Sequence, residues 1–239
     1  MIYFLTSSPF TPGQPTLNPA NGMIRRLKQA LPGPCRGLFI CSDPLRPDLT
    51  DRFAEDMRWA LAHEGIALSG WSILDGRNAA SAGALIASAG LIILAGGHVP
   101  TQNAFFHQVG LAAHIAAYDG VLMGISAGSM NSARVVYAQP EMPGEAIDPG
   151  YRRFLPGLGV TDAMLLPHYQ LVKDDRVDGL RLFEEITFPD SMGRRFYVLP
   201  DGSYLLGQDG KETLLGEAYR IENGVMTALT RENEAYPLP

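Results

Sequence analysis

The sequence has few of the features that mark secreted, membrane-spanning or metal-binding proteins. Its 239 residues include two cysteines, Cys35 and Cys41, whose spacing is neither a disulfide framework nor a CxxC motif, so we expect inert thiols. No apolar run reaches the about 18 residues of a membrane span. The opening segment MIYFLTSSPF has no basic region before its short apolar stretch, as a signal peptide would have. We therefore expect a cytoplasmic protein that does not bind membranes.

Charge is also sparse. Charged residues make up 18% of the chain, the net charge is −6, and lysine and arginine form no cluster. Non-specific binding of nucleic acid depends on clustered cations that neutralise phosphates, so nucleic acid is not an expected partner. The hydrophobic share of 46% is typical of a folded globular chain, which we expect to be a monomer or a homodimer.

The first half of the chain alternates short apolar runs with longer amphipathic segments. Gly37–Cys41 and Leu91–Ala95 are continuously apolar, as central strands of a parallel sheet are. Strands that alternate with helices imply crossover connections, so the pattern predicts an α/β three-layer sandwich with a mainly parallel sheet. The predicted strands are Met1–Thr6, Gly37–Cys41, Ile66–Leu74, Leu91–Ala95 and Val121–Gly124, and the predicted helices are Gly22–Leu31, Asp48–Glu64, Asn78–Ser88, Thr101–Tyr118 and Ala127–Val135.

The pattern changes after Phe196. Short apolar segments are separated by Asp201-Gly202, Asp209-Gly210 and Asn223-Gly224, dipeptides that favour tight turns. We interpret residues 197–239 as a small antiparallel extension at one end of the sheet. The prediction is a single domain over residues 1–239 with this β-rich extension as part of it.

The main chemical motif is the pentapeptide Gly124-Ile125-Ser126-Ala127-Gly128, which follows an apolar strand and opens a helix. That context is typical of a nucleophile elbow, in which a sharp turn raises the serine hydroxyl above the sheet. The helix start supplies free N–H groups for a developing oxyanion, with Ala127 as the first donor. Gly97, in the glycine pair that ends the preceding strand, is the candidate second donor. The alternative interpretation is a tight turn in which Ser126 only caps the helix.

A serine nucleophile needs a base, and His168 is the best candidate among the five histidines. It follows the apolar segment Ala163–Leu166, so it is expected at the same sheet edge as Ser126. His107 and His114 lie seven residues apart on one predicted helix, but no third ligand has suitable spacing, so no metal and no cofactor are expected.

The carboxylate that would orient His168 is not fixed by spacing. Glu141, Glu145 and Asp148 all lie between the elbow helix and His168, and the residues themselves do not choose among them.

The chain resembles peptidase family S51, which contains aspartyl dipeptidase and cyanophycinase. The resemblance is carried by the elbow Gly124–Ser129 after the Gly96-Gly97 strand end. It extends to Leu166–Tyr169 and, more weakly, to Thr6–Ser8 and Val198–Gly202. It therefore spans most of the chain and implies a flavodoxin-like sheet similar to that of class I glutamine amidotransferases.

The resemblance also implies roles for residues. It places the nucleophile on Ser126, the base on His168 and the oxyanion donors on Gly97 and Ala127. The acid falls on Glu141, because the Glu141-Met142-Pro143 segment matches a family pattern in which the acid precedes a Met-Pro pair.

The expected reaction is hydrolysis of small peptides through a Ser-His-Glu triad and an acyl-enzyme, with dipeptides bearing an N-terminal acidic residue as the predicted substrates. His98, Lys173 and Arg176 are candidates for binding the substrate terminus or its acidic side chain. The planar guanidinium of Arg176 suits a carboxylate because it can bind both oxygens. The chain departs from the family at His98, where the dipeptidase has Asn, and after His168, where the extra histidines of an aspartyl dipeptidase are missing.

Three other functions compete with the peptidase. A glutaminase-type amidotransferase normally has cysteine at the position of Ser126 and a carboxylate at that of Gln170. A lipase or esterase of the α/β-hydrolase class shares the elbow but usually places its histidine much farther along the chain. A catalytically silent binding module could keep the same fold.

Overall fold

The computed structural model describes all residues, Met1–Pro239. The helices are α1 (Met23–Ala30), α2 (Pro47–His63), α3 (Ala82–Ser88), α4 (Val99–Gln108), α5 (Leu111–Ala116), α6 (Ala127–Asn131), α7 (Tyr169–Val172) and α8 (Phe188–Asp190). The strands are β1 (Ile2–Thr6), β2 (Cys35–Ile40), β3 (Leu68–Leu74), β4 (Leu91–Leu94), β5 (Val121–Ile125), β6 (Val135–Tyr137), β7 (Phe154–Pro156), β8 (Met164–Leu166), β9 (Arg176–Val177), β10 (Leu180–Arg181), β11 (Arg195–Val198), β12 (Tyr204–Gln208), β13 (Lys211–Leu215), β14 (Ala218–Glu222), β15 (Val225–Thr230) and β16 (Ala235–Pro237).

An eight-stranded sheet forms the centre of the molecule, in the order β16-β13-β12-β1-β5-β4-β2-β3. The five strands from β1 to β3 in that order are parallel, and β12, β13 and β16 continue the sheet in antiparallel pairing. Strands β4 and β5 are buried on both faces, which is why their sequences are continuously apolar.

Helices cover both faces of the parallel part. On one face, Phe4 and Phe39 pack with Leu27 of α1 and Met57 of α2. On the other face, α3, α4 and α5 pack against alternate residues of the same strands, such as Leu38. Successive strand residues point to opposite faces, so each strand contributes to both cores. The predicted α/β three-layer fold with a mainly parallel sheet is confirmed.

The strands after Phe196 are divided between two sheets, whereas the sequence predicted one antiparallel extension at one end of the main sheet. Strands β12, β13 and β16 extend the main sheet, whereas β11, β14 and β15 join β8 in a separate four-stranded sheet. Leu5 and Leu205 of the main sheet pack against Leu165 and Tyr197 of the second sheet. The segment after Phe196 therefore joins two sheets, because its strands alternate between them.

Two predicted helices are shorter than expected. The segment Thr101–Tyr118 contains two helices, because Gly110 adopts a left-handed conformation with φ of 60° between α4 and α5. The elbow helix ends at Asn131, and the β-branched residues Val135 and Val136 then enter strand β6. None of the helices has both the length and the apolar character needed to cross a membrane.

Candidate active site

Ser126 lies between the end of β5 and the start of α6, in a backbone conformation with φ of 51° and ψ of −113°. Positive φ is costly for a residue with a side chain and persists where the surroundings fix it. Here the surroundings are tight, since a Cβ atom on Gly128 would overlap the carbonyl oxygen of Leu94 in β4. Only glycine allows α6 to begin this close to the neighbouring strand. The elbow predicted from the pentapeptide is therefore present as a strained strand-to-helix turn.

The backbone of Ser126 is tied to strand β1. Its N–H group is shared between the carbonyl oxygens of Thr6 and Ser7, each 3.1 Å away. The hydroxyl of Ser129, one turn into α6, donates to the same Thr6 carbonyl at 2.7 Å. These bonds fix the elbow relative to the sheet and leave the Ser126 side chain to line a cavity.

His168 lies two residues after β8, and its ring reaches the elbow. Its Nε2 atom is 2.8 Å from Ser126 Oγ, and its Nδ1 atom is 2.7 Å from Asp201 Oδ1. An ionised carboxylate only accepts, so the network assigns the ring proton to Nδ1 and leaves Nε2 to accept the serine hydroxyl proton. The three side chains form a continuous Ser-His-Asp chain of hydrogen bonds.

The carboxylate partner of His168 corrects the sequence expectation. Glu141 makes no hydrogen bond to His168, and its Oε1 atom instead accepts from the Val99 N–H at 3.3 Å. Asp148 accepts from the Gly150 N–H at 2.8 Å. Asp201 takes the position beside His168 because strands β8 and β11 are parallel neighbours, with Leu166 paired to Val198. The loops after both strands therefore begin at one edge.

Ser7 joins this network from the end of β1. Its hydroxyl donates to Asp201 Oδ1 at 2.7 Å and accepts from the His168 N–H at 2.7 Å. Ser7 is fully buried. A single hydroxyl thus fixes the position of the carboxylate relative to the backbone of the histidine.

The charge state of Asp201 follows from these contacts. Burial raises the pKa of the Asp201 carboxyl, but the hydrogen bonds from His168 and Ser7 outweigh burial, so its pKa lies below the ordinary value. Asp201 is therefore ionised at neutral pH.

A second histidine–carboxylate pair flanks the glycine turn. His98 Nε2 lies 2.7 Å from Glu145 Oε1, and His98 Nδ1 lies 2.7 Å from Thr101 Oγ1. Burial raises the pKa of Glu145, but N–H groups of Glu141 and Met142 together with His98 lower it overall. The pair connects the Gly97 turn to the loop after β6. His98 is engaged by these protein partners.

The two predicted oxyanion donors sit beside Ser126. Gly97 lines the same cavity as Ser126, and a Cβ atom on it would lie 2.5 Å from the Ser42 hydroxyl. Ala127 is the first residue of α6, where the N–H groups of a helix lack intrahelical partners. Gly97 and Ala127 therefore stay candidate N–H donors, the first through the shared cavity and the second through its place directly after Ser126.

A cavity of about 990 Å³ opens at these side chains and is lined by Ser126, His168 and Asp201. This volume is in the range of small-molecule sites. The loop of residues 8–15 forms one wall and helix α2 another. The predicted substrate-binding residues do not line the cavity: Lys173 and Arg176 are exposed, and Arg176 donates to the Gly179 carbonyl at 2.9 Å.

Sequence reasoning did not identify Asp201 or Ser7 as site residues. Asp201 precedes a glycine in a tight turn, which accounts for the residue type without any chemistry. The informative signal was its position just after an apolar strand, which is also how His168 was found. Ser7 carried no signal beyond its place at the end of the first strand.

Several solved structures share this fold, and two of them are described as peptidases. A peptidase from an acI-B1 actinobacterium aligns with 99% of this chain and 96% of its own, at 16% sequence identity and a TM-score of 0.71. A candidate Peptidase E protein from Listeria monocytogenes EGD-e aligns with 96% of this chain and 98% of its own, at 17% identity and a TM-score of 0.57. These likenesses show a fold that peptidases use. No protein-family model and no curated protein matches the sequence.

Proposed function

We propose that the chain is a serine peptidase that hydrolyses small peptides, with Ser126 as nucleophile, His168 as general base and Asp201 as the carboxylate that orients the imidazole. The observation that carries the proposal is the hydrogen-bond chain at the elbow, 2.8 Å from Ser126 Oγ to His168 Nε2 and 2.7 Å from His168 Nδ1 to Asp201. The fold shared with two peptidases supports a peptide substrate.

Acylation begins when Ser126 Oγ attacks the scissile carbonyl carbon and its proton passes to His168 Nε2. The carbonyl oxygen becomes an oxyanion, which the N–H groups of Gly97 and Ala127 stabilise by about 3 kcal/mol each in a typical site. Asp201 holds the doubly protonated imidazole through Nδ1. The C–N bond then breaks as His168 returns the proton to the leaving amine.

Deacylation repeats these steps with water. Water attacks the ester carbonyl and gives a proton to His168. The bond to Ser126 Oγ then breaks, and the serine recovers its proton from the imidazolium. The strained elbow keeps the serine hydroxyl at one position through both steps, so little reorganisation is required.

The proposed substrate class differs from the one that the family resemblance implies. A preference for an N-terminal acidic residue needs a cation in the cavity, and no lysine or arginine lines it. The proposed substrates are therefore small peptides, without a preference for an acidic N-terminal residue.

Labelling with a fluorophosphonate, followed by peptide mass spectrometry, tests the proposal without knowledge of the substrate. The wild type is expected to be labelled on Ser126, whereas Ser126→Ala is not labelled and His168→Ala reacts slowly, because the hydroxyl has lost its base. Circular dichroism of each variant establishes that the fold is kept. Absence of labelling in the folded wild type would refute the proposed nucleophile and leave a binding module as the better account.

A further inference from the structure

We propose that the site selects peptides whose N-terminal residue has an apolar side chain and a free amine, with Asp56 as the counter-ion of the positive charge. The inference rests on the proposed peptidase function and adds its substrate class.

The cavity beside Ser126 is mainly apolar. Phe10 and two prolines come from the loop of residues 8–15, Phe53 and Met57 from α2, and Leu171 from α7. Burying an apolar side chain against such a wall is favourable by about 25 cal/mol for each Å² removed from water. An acidic side chain would gain nothing there and would lose its hydration.

Hydrogen bonds hold the loop of residues 8–15 in place, so this wall of the cavity can discriminate between substrate side chains. Within the loop, the Thr11 N–H donates to the Thr16 carbonyl at 2.9 Å and the Asn18 N–H donates to the Pro9 carbonyl at 2.8 Å. Phe10 and Leu17 form a bridge between the two arms. The prolines restrict the backbone further, so the aromatic wall is preformed.

The charges around the cavity are negative. Helix α2 contains four carboxylates, and three of them have arginine partners: Asp48 with Arg46, Asp51 with Arg77 and Glu55 with Arg58. Asp56, the fourth, lines the cavity and has no ion-pair or hydrogen-bond partner. Asp56 is therefore an exposed carboxylate without a partner on the α2 wall of the cavity.

Asp201 is the other carboxylate lining the cavity, and it is already occupied by His168 and Ser7. A free α-amine is the positive group that every unblocked peptide carries beside its first side chain. A peptide with an apolar N-terminal residue therefore packs its side chain against the aromatic wall and pairs its amine with Asp56. The side chain of an N-terminal aspartate would be repelled by the Asp56 carboxylate.

One cation lies near the cavity, and it could favour the opposite preference. The Arg52 guanidinium carbon is 5.4 Å from the centre of the Phe53 ring, although Arg52 does not line the cavity. The test therefore includes Arg52→Gln, which we expect to leave the preference unchanged.

The experiment compares kcat/KM for Leu-Leu, Phe-Leu, Asp-Leu, Glu-Leu, Lys-Leu and N-acetyl-Leu-Leu. We expect Leu-Leu and Phe-Leu to exceed the two acidic dipeptides by at least about tenfold, the size of effect that burying one such side chain gives. Asp56→Asn is expected to raise KM for Leu-Leu by up to about fivefold, as loss of an exposed ion pair does. It should leave N-acetyl-Leu-Leu unchanged. Glu55→Gln, with the same charge change next to Asp56 but outside the cavity, is the matched control.

Different results would overturn the proposed substrate preference and the proposed peptidase function. Faster cleavage of Asp-Leu than of Leu-Leu, or equal effects of Asp56→Asn and Glu55→Gln, would overturn the inference while the peptidase stands. A requirement for Lys-Leu would also overturn it, because the charge would then come from a side chain. No turnover of any peptide with Ser126 still labelled by fluorophosphonate would overturn the substrate class. No turnover together with no labelling would overturn the function itself.

Discussion

Removing the Ser7 hydroxyl tests whether the proposed triad works as one network. In Ser7→Ala, Asp201 loses a hydrogen bond of 2.7 Å and the His168 N–H loses its acceptor at 2.7 Å. A hydrogen bond to a charged group contributes about 1.5–3 kcal/mol. If transition-state stabilisation falls by a similar free energy, kcat/KM should decrease about 10- to 100-fold, since about 1.4 kcal/mol corresponds to a tenfold change in rate.

The loss should appear in kcat more than in KM, because Ser7 does not line the cavity. Ser191→Ala is the matched control. The Ser191 hydroxyl is also buried, donates to the Phe188 carbonyl at 2.7 Å and accepts from the Gly224 N–H at 2.8 Å, on a different part of the fold.

The assay pairs peptide hydrolysis with urea unfolding of both variants. We expect similar losses in the free energy of unfolding and a loss of kcat in Ser7→Ala alone. If Ser7→Ala keeps wild-type kcat, or if Ser191→Ala loses as much, then Ser7 has only a structural role and the network argument fails.

Three further predictions follow from the same geometry. Gly128→Ala should cost about 1–3 kcal/mol of stability and most of the activity, because its Cβ would overlap the Leu94 carbonyl oxygen. Thermal unfolding and kcat measure the two losses, and a variant with neither loss would contradict the packing of the elbow. Burial raises the pKa of the Glu141 carboxyl, so the fold loses stability as the pH rises above the ordinary pKa of 4.5. The free energy of unfolding of Glu141→Gln in urea, relative to that of the wild type, should therefore increase between pH 4 and pH 7. A difference that does not change with pH would refute this. Lys173→Ala and Arg176→Ala should keep KM, since neither residue lines the cavity, and a raised KM would place them at the substrate.

The parts of the fold predicted from sequence are those fixed by local patterns. Leu91–Leu94 and Val121–Ile125 are buried on both faces, and their uninterrupted apolar character shows this directly. The turn at Ser126 could be predicted for the same reason, because a strand, a Gly-x-Ser-x-Gly turn and a helix are adjacent in the chain. Local patterns also explain why the position of His168 at a strand end was informative.

The residues that sequence did not identify depend on contacts between distant segments. Asp201 meets His168 only because β8, three residues long, pairs in parallel with β11. No spacing rule gives that pairing, and Glu141 was nearer in sequence and matched a family pattern. Ser7 reaches the network through the pairing of β1 with β12, which sets the N-terminal strand beside the C-terminal region. The division of the C-terminal strands between two sheets has the same origin.

The choice between Asp201 and Glu141 as the partner of His168 is tested most directly by the matched variants Asp201→Asn and Glu141→Gln. Each replaces a carboxylate by its amide at nearly constant volume. An amide at position 201 favours the wrong imidazole tautomer, so kcat should fall about 10⁴-fold, the effect of the same change in a Ser-His-Asp triad. Glu141→Gln should stay within a few-fold of wild type, because Glu141 bonds the Val99 N–H and not His168. Loss of kcat in Glu141→Gln with full activity in Asp201→Asn would contradict the Ser126-His168-Asp201 account.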